Sequence, residues 1–165
     1  MNLKLRKARI NEEDARKVML WRNNPETLEM FYDQTPKVWE SFWVEYQEKY
    51  FVEPGSVPHF SMVDGHDVGF LRANEYGETN FPGRVFDIDV NVAPSERGKG
   101  LGAKIIKMYA DQLLSSVADV IVAEVKKQNI GSIKSFLKAG FMEFDETVRK
   151  KYGKEFEINR YIYQR

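Results

Sequence analysis

The chain has 165 residues, and its 25 lysines and arginines balance its 25 aspartates and glutamates, so its formal net charge is zero. That balance argues against a general nucleic-acid binder or a protein of anionic membrane surfaces, because both need an excess of basic residues. With no cysteine, the sequence also excludes disulfide bonds, thiolate zinc sites and cysteine nucleophiles.

Strand-like and helix-like patterns alternate through the first half of the chain. Residues 3–10 alternate apolar and polar side chains, which predicts a strand. Asn11 is a good helix N-cap, and the acidic residues after it favour a helix that Pro25 helps to end. The further predicted elements are a helix through Trp39, Phe42, Trp43 and Tyr46, a loop at 53–56, strands at His59–Val63 and 68–73 joined by an Asp64-Gly65 turn, and a loop at about 74–83.

A strand–helix–strand unit begins the second half. Val85–Val92 alternates in strand period, a glycine-rich turn occupies 94–102, and a helix follows with Leu101, Ile105, Met108 and Leu113 near one face. Residues 120–125 predict a buried strand, and such a crossover joins parallel strands. The last predicted elements are a helix at 129–139 with Ile133, Phe136 and Leu137 inward and Gly140 as its stop, and strands at 141–146 and 156–163.

Together these elements predict one α/β domain over residues 1–165, with a mixed sheet and helices on its faces. The N-terminus lacks the apolar stretch of a signal peptide, and no segment approaches the length of a membrane span. We therefore expect a cytoplasmic protein without a membrane or nucleic-acid partner.

The glycine-rich turn, with the sequence RGKGLG at 97–102, carries the strongest chemical signal. Its glycines let backbone N–H groups approach a ligand, and the helix that follows adds unpaired donors and a partial positive charge. This combination predicts a pyrophosphate site, to which Arg97 and Lys99 add charge. The spacing fits neither the dinucleotide fingerprint nor a P-loop. The alternative is that the glycines only form a tight turn.

These residues resemble the Q/R-x-x-G-x-G/A loop of the GNAT superfamily of N-acetyltransferases. A second segment, from Asn129 to Phe141, resembles a later family motif: an Asn, a small residue three positions on, an aromatic seven on, and then Gly-Phe. The stretches EEDA at 12–15 and LWRNNPE at 20–26 resemble the N-terminal sequences of one branch of the family, which includes ribosomal-protein N-terminal and nucleotide-amino-sugar acetyltransferases. The resemblance implies a mostly antiparallel sheet with a splayed parallel strand pair and helices on both faces.

The same resemblance implies acetyl-CoA as the co-substrate, without a metal, in the splay between the two parallel strands. Backbone groups of Val90 and Val92 would contact the acetyl and pantetheine arms, and the amides of residues 97–102 would hold the pyrophosphate. The implied coenzyme-binding residues are Val90, Val92, Arg97, Gly98, Lys99, Gly100, Leu101, Gly102, Asn129, Ser132 and Phe136.

Direct attack of an amine on a thioester requires a base, because an alkyl ammonium has a pKa of about 10. Asp87 is our first candidate, Asp89 on the same strand face the second and Glu124 the third. Each could instead be a solvated carboxylate or an anchor for the substrate ammonium. Phe136 stands where related enzymes often have a tyrosine that protonates the leaving thiolate. Either Ser132, Ser135 or water supplies that proton, or the thiolate departs without an acid.

The acceptor is the least determined feature. Trp21, Arg22 and Asn23 are predicted to line its site, or else to pack the end of a helix. We expect a small-molecule or peptide amine, with a nucleotide-linked amino sugar first and a protein N-terminus, a polyamine or an antibiotic next. A homodimer is compatible with the sequence. The rival hypothesis is a non-catalytic acyl-CoA-binding module.

Overall fold

The computed structural model describes residues 1–52 and 56–165, so the loop predicted at 53–56 lies, except for Ser56, outside the described residues. The strands are β1 (Leu3–Lys7), β2 (His59–Val63), β3 (His66–Glu75), β4 (Val85–Val92), β5 (Val120–Lys126), β6 (Met142–Lys151) and β7 (Lys154–Tyr163). The helices are α1 (Glu12–Arg22), α2 (Pro25–Leu28), α3 (Trp39–Lys49), α4 (Leu101–Leu114) and α5 (Ile130–Lys138), with a 3-10 turn at Pro94–Glu96 before α4.

The strands form one seven-stranded sheet in the order β1-β2-β3-β4-β5-β7-β6. Neighbouring strands are antiparallel except for β4 and β5, which are parallel. This confirms the predicted α/β fold with its mixed sheet, and it places the one parallel pair near the centre of the sheet.

Local signals account for several boundaries. The Asn11 side chain accepts a hydrogen bond from the N–H of Asp14 at 2.8 Å and so caps α1. Asp64 and Gly65 have φ angles of 49° and 86°, and two positive φ values are what a tight hairpin between right-twisted strands requires. Gly140, with φ of 103°, ends α5 in the left-handed conformation.

The structure departs from the prediction in several elements. Pro25, predicted to help end α1, instead begins the short helix α2, a first-turn position where its missing N–H costs nothing. Strand β1 ends at Lys7 rather than at residue 10, whereas β6 and β7 are longer than predicted. The expectation that Leu137 points inward is wrong: it is 49% exposed, because nine-residue α5 buries only a narrow stripe around Phe136.

Apolar side chains fill both faces of the sheet. Helices α4 and α5 cover one face, where Phe86 and Ile88 of β4 join the larger core. Helices α1 and α3 cover the other face, where Phe60 and Phe70 meet Tyr46. The parallel strand pair therefore lies between two layers of helices, one on each face of the sheet. Among the described residues, no helix is both long and apolar enough to span a membrane.

Candidate active site

Strands β4 and β5 separate partway along their length. Their pairing runs only from Val85 opposite Val120 to Asp87 opposite Val122, although β4 continues to Val92 and β5 to Lys126. Beyond Asp87, β4 pairs with β3 alone among the described strands. A wedge-shaped gap therefore opens between the carboxyl ends of the two parallel strands.

The backbone of β4 presents alternate residues to this gap. Ala93 donates its N–H to Val68 at 2.8 Å, and the Val85 carbonyl accepts the N–H of Tyr76 at 2.9 Å, so these odd-numbered residues face β3. Because the β3–β4 register is unbroken between these two contacts, the N–H and C=O groups of Val90 and Val92 face the gap. The Val92 carbonyl accepts a hydrogen bond from Arg97 Nε at 3.1 Å, and the Val90 groups face the gap directly.

A cavity of about 1000 Å³ occupies the gap and extends to both sides of it. We call one side the loop half; it is lined by residues 26–27, 90–92, 96–98, 100–103 and the start of α5. We call the other side the helix half; it is lined by the end of α1, residues 30–33, Lys37, Glu45, Tyr50, Phe70, Arg72 and Tyr152. Asp89, Glu124 and Lys126 line the region where the halves meet.

The loop half offers bare backbone to a ligand. Gly98 and Gly100 have φ angles of +77° and +76°, and a Cβ on either would meet no protein atom within 4 Å. Gly100 is also the N-cap of α4, and no side chain caps that helix end, so its first N–H groups are left for an anion. Gly102 differs, since its Cβ would lie 2.9 Å from Ser135 Oγ. The third glycine therefore allows α4 and α5 to pack closely.

The hydrogen-bond donors of the two basic side chains in the loop are engaged by protein groups. Arg97 donates to the Asn91 side chain at 3.0 Å and to the hydroxyl of Thr27, which ties the loop to α2. Lys99 forms an ion pair with Glu96 at 2.9 Å and does not line the cavity. Within the turn, backbone N–H groups are therefore the free donors for an anion, while Arg97 and, from α5, Lys134 and Lys138 add positive charge to the cavity lining.

The other predicted residues of the loop half meet at the start of α5. Asn129 caps that helix, because its side-chain oxygen accepts the N–H of Ser132 at 3.1 Å. Both residues line the cavity, as do Leu101 and Phe136. The Phe136 ring is 5% exposed and stacks edge-on against Phe141, with 5.0 Å between ring centroids.

The two aspartates of β4 share a strand face but not an environment. Asp89 lies beyond the last β4–β5 pair and lines the cavity, whereas Asp87 lies opposite Val122 in the paired region and does not line it. Burial, followed by repulsion from Asp89 and Glu124, raises the pKa of Asp87 to about 8. Asp89 is exposed to solvent in the open cavity, but the protein groups that surround it reduce its hydration and raise its pKa, against the attraction of Arg72. Among the described residues Asp89 has no hydrogen-bond or ion-pair partner.

Glu124 is fully engaged by protein groups. Its carboxylate accepts hydrogen bonds from Tyr32 at 2.7 Å, from Tyr76 at 2.5 Å and from Arg149 at 2.5 Å and 3.0 Å. Burial alone would raise the pKa of Glu124, but the bonds from Arg149 and the two tyrosines outweigh it and lower the pKa to about 2. Glu124 therefore stays ionised and is a poor proton acceptor.

Of the three residues predicted to line an acceptor site, the structure brings only Arg22 to the cavity. Trp21 packs edge-on against Phe60 at 5.9 Å, and the Asn23 side chain holds the Lys37 backbone through bonds of 2.7 Å and 2.9 Å. Side chains that the sequence did not single out also line the helix half. These are Tyr32, Tyr50, Arg72 and Tyr152.

No group of three side chains that could hold a metal ion occurs in residues 1–52 and 56–165. The site instead combines an anion cradle, a strand gap with free backbone groups and, among the described residues, two carboxyl groups without a hydrogen-bond or ion-pair partner: Asp89 where the halves meet and the exposed Glu26 in the loop half. That combination suits a chemistry of backbone hydrogen bonds and proton transfer.

A profile of the acetyltransferase (GNAT) family matches residues 24–141. No curated protein matches the sequence at a significant level. The fold resembles the aminoglycoside acetyltransferase AAC(6')-Ib solved with coenzyme A, with a TM-score of 0.80, 20% identity, and coverage of 99% of this chain and 95% of that one. It also resembles a GNAT-family acetyltransferase from Bacillus anthracis (TM-score 0.81, 12% identity, coverage 99% and 95%) and an N-acetyltransferase from Staphylococcus aureus Mu50 (0.73, 18%, 99% and 99%). At these identities the structural likeness establishes the fold alone.

Proposed function

The chain belongs to the acetyltransferase (GNAT) family, and we propose that as an acetyl-CoA-dependent N-acetyltransferase it transfers the acetyl group directly to a primary amine of a small molecule. The observation that carries this proposal is the splayed β4–β5 pair, in which Val90 backbone groups face the gap and Asp89 lines the same cavity. Residues from Val18 to Tyr152 line that cavity, which favours a single catalytic domain.

The loop half fits coenzyme A. Its pyrophosphate would be held by the N–H groups of residues 97–102, where two glycines leave open space, and its pantetheine arm would lie against Val92 and Asn129. Acetyl-CoA supplies an activated acetyl group as a thioester. Its leaving group is a thiolate whose conjugate acid has a pKa of about 8.5. AAC(6')-Ib has been solved in complex with coenzyme A and, in a separate structure, in complex with acetyl-CoA.

We assign the proton transfer to Asp89. An acceptor amine reaching the gap from the helix half would lie beside this carboxyl group, which has no protein partner to displace. Its raised pKa makes it a stronger base when ionised, which suits the removal of a proton from an ammonium group. Asp87 is less suited to the role because it does not line the cavity.

The Val90 N–H is the donor we assign to the developing oxyanion. It faces the gap from a strand that β3 holds rigidly on its other side, so its direction is set before the substrate binds. Tyr32 is unsuited to act as the acid for the leaving thiolate, because burial and its bond to Glu124 raise its pKa far above that of a thiol.

The acceptor is proposed to be a small molecule that enters through the helix half. The neighbour AAC(6')-Ib was solved with ribostamycin, so a small amine is a reasonable acceptor for a fold of this shape. A nucleotide-linked amino sugar is our first choice, and an antibiotic amine, a polyamine or a protein N-terminus is the alternative. A non-catalytic acyl-CoA-binding module is disfavoured, since such a module has no use for an unpaired carboxyl group beside the acyl site.

The first test is stabilisation by acetyl-CoA. A ligand present at about 100 times its dissociation constant adds about 2.7 kcal/mol to the unfolding free energy, which for a chain of this size corresponds to a rise in Tm of about 5–10 °C. Thermal unfolding with and without acetyl-CoA measures it, and release of free thiol with a panel of amines then tests transfer. No rise in Tm at millimolar acetyl-CoA would contradict the proposed function.

A second test concerns the missing tyrosine. We expect Phe136→Tyr to leave turnover unchanged or slightly reduced, because a thiolate leaves without help and the ring already packs against Phe141. Steady-state rates measured between pH 6 and pH 9 check this. A several-fold gain, or activity extended to higher pH, would show that the enzyme operates without an acid it could have used.

A further inference from the structure

Arg22 is an unusual side chain in the helix half. It is 8% exposed and lines the cavity at the end of α1. Its Nη2 donates to the carbonyl of Asp33 at 3.2 Å, and its guanidinium lies 4.4 Å from the centre of the Phe31 ring. Its Nη1 is buried and has no hydrogen-bond partner among the described residues. A buried cation with an unsatisfied donor is costly unless a ligand supplies the acceptor.

Two further cations of the cavity form no close ion pair among the described residues, although Arg72 lies opposite Asp89 in the β3–β4 register and lowers the pKa of that carboxyl group. Arg72 lies with its guanidinium 3.7 Å from the centre of the Tyr50 ring. Lys126, 4% exposed, donates to the carbonyls of Glu29 and Phe31 at 2.8 Å each. Burial raises the pKa of Tyr50, Arg72 and Arg22 lower it and Glu45 and Asp89 raise it, so the two guanidinium groups lie in one neighbourhood together with these two carboxylates.

Both carboxylates that line the helix half lie close to the same lysine. Lys37 pairs with Asp33 at 3.8 Å and with Glu45 at 3.0 Å. Where the halves meet, Glu124 is paired with Arg149, which leaves Asp89 as the unpaired carboxyl group. The side chains that line the helix half are three cations, Arg22, Lys37 and Arg72, and two carboxylates, Asp33 and Glu45, so this half has one more positive than negative charge before Asp89 is counted.

The rim of the helix half adds to this charge. Tyr152, at the tip of the β6–β7 hairpin, lines the cavity and stands between Lys151 and Lys154. The Lys151 ammonium lies 5.0 Å from the centre of the Tyr32 ring, and it lowers the pKa of Asp89 against the larger effect of reduced hydration. A ligand entering under this hairpin meets cations at the rim and on the inner wall.

We infer that the acceptor carries an anionic oxygen group, a carboxylate or a phosphate, beside its amine, and that Arg22 binds this group. The inference rests on the proposed function, because it assigns the helix half to the acceptor. The guanidinium fork matches either anion in geometry and charge, and it satisfies the buried Nη1. The acceptor amine then points towards Asp89, and the C–N bond forms as the C–S bond breaks and the amine proton passes to that carboxylate. A polycationic acceptor such as an aminoglycoside would instead leave Arg22 Nη1 without an acceptor.

Matched acceptors test the preference of the wild-type enzyme. The carboxylate arm compares each of several α-amino acids with its carboxamide and its decarboxylated amine, and the phosphate arm compares O-phosphoethanolamine and a nucleotide-linked amino sugar with ethanolamine and the free sugar. Kanamycin is the polycation. With thiol release from acetyl-CoA as the readout, we expect kcat/KM to be about 10-fold or more higher for the anionic members of one arm. The arm that shows the preference identifies the anion.

Variants assign the preference to Arg22. Arg22→Gln should raise KM for the preferred anionic acceptor by about 10- to 100-fold and change the matched uncharged amine by less than about 2-fold, with Arg22→Lys in between. Arg16→Gln is the matched control, because Arg16 stacks on Trp39 at 3.8 Å from the same helix but is exposed and outside the cavity. Acetate and inorganic phosphate provide a test that needs no turnover: one of them should stabilise the wild type more than Arg22→Gln.

Several outcomes would overturn the inference. They are an equal loss for charged and uncharged acceptors in Arg22→Gln, a preference for kanamycin, or no Arg22-dependent effect of either ion together with no anion preference. If acetyl-CoA still stabilises the protein and some amine is acetylated, only the inference fails. If acetyl-CoA neither stabilises the protein nor reacts with any amine, the proposed function fails with it. Should Arg22→Gln fail to fold, the wild-type acceptor series and Arg22→Lys decide the question.

Discussion

Replacing Gly100 by alanine should weaken acetyl-CoA binding by about 10- to 100-fold, because a methyl group would stand between the phosphate oxygens and the backbone N–H groups that bind them. The Cβ would project into open space, with no protein atom within 4 Å, so the loss cannot come from a clash inside the protein. Isothermal titration with acetyl-CoA and the ligand-induced rise in Tm measure the effect.

Gly65→Ala is the matched control for backbone strain. Gly65 has a φ of +86° against +76° for Gly100, a Cβ there would also meet nothing within 4 Å, and it lies in the β2–β3 turn away from the cavity. Both variants should lose about 1–2 kcal/mol of stability, since both force an L-residue into the left-handed region. Only Gly100→Ala should lose the coenzyme. Equal binding by the two variants would mean that the turn has no role in anion recognition.

The glycine-rich turn could be predicted because its signals are local. The alternating strand before it, the glycines within it and the apolar stripe of α4 after it all lie within one short stretch of sequence. The cap at Asn11 is local in the same way. Each of these features depends on neighbouring residues, so the sequence pattern is sufficient to indicate them.

The choice between Asp87 and Asp89 could not be made from the sequence. Both residues share one strand face by period, and only the point at which β4 and β5 stop pairing separates them. That point depends on the packing of helices on both faces of the sheet. The ion pair between Glu124 and Arg149, and the position of Arg72 opposite Asp89, depend in the same way on strand registers that no local pattern encodes.

The acceptor residues show the limit of motif resemblance. Trp21, Arg22 and Asn23 are consecutive at the end of α1, and consecutive helical positions point about 100° apart. One motif therefore sends Trp21 to the core, Arg22 to the cavity and Asn23 to the Lys37 backbone. A resemblance identifies the segment, but only the packed helix shows which member can touch a ligand.

We expect Asp89→Asn to lower kcat/KM for the amine by about 10²–10⁴-fold near neutral pH, with the rise in Tm caused by acetyl-CoA preserved. The amide keeps the size of the side chain and removes the base. Because the pKa of Asp89 is raised, wild-type activity should increase as pH rises and this carboxyl group ionises. The variant should lack that step and recover only as the amine itself loses its proton, so the deficit should shrink towards high pH.

Asp87→Asn is the control on the same strand face, and it should change turnover far less because Asp87 does not line the cavity. The main effect of Asp87→Asn should instead be a change in the pH dependence of the protein's stability. The folded-state pKa of Asp87 is raised from 3.8 to about 8, so folding favours the protonated form, and the contribution of this group to stability falls as pH rises through that window. Asparagine does not titrate, and the Tm of the variant relative to wild type should therefore increase between about pH 4 and pH 8. If Asp87→Asn abolishes turnover while Asp89→Asn does not, the base is Asp87 and the proton must reach it through water.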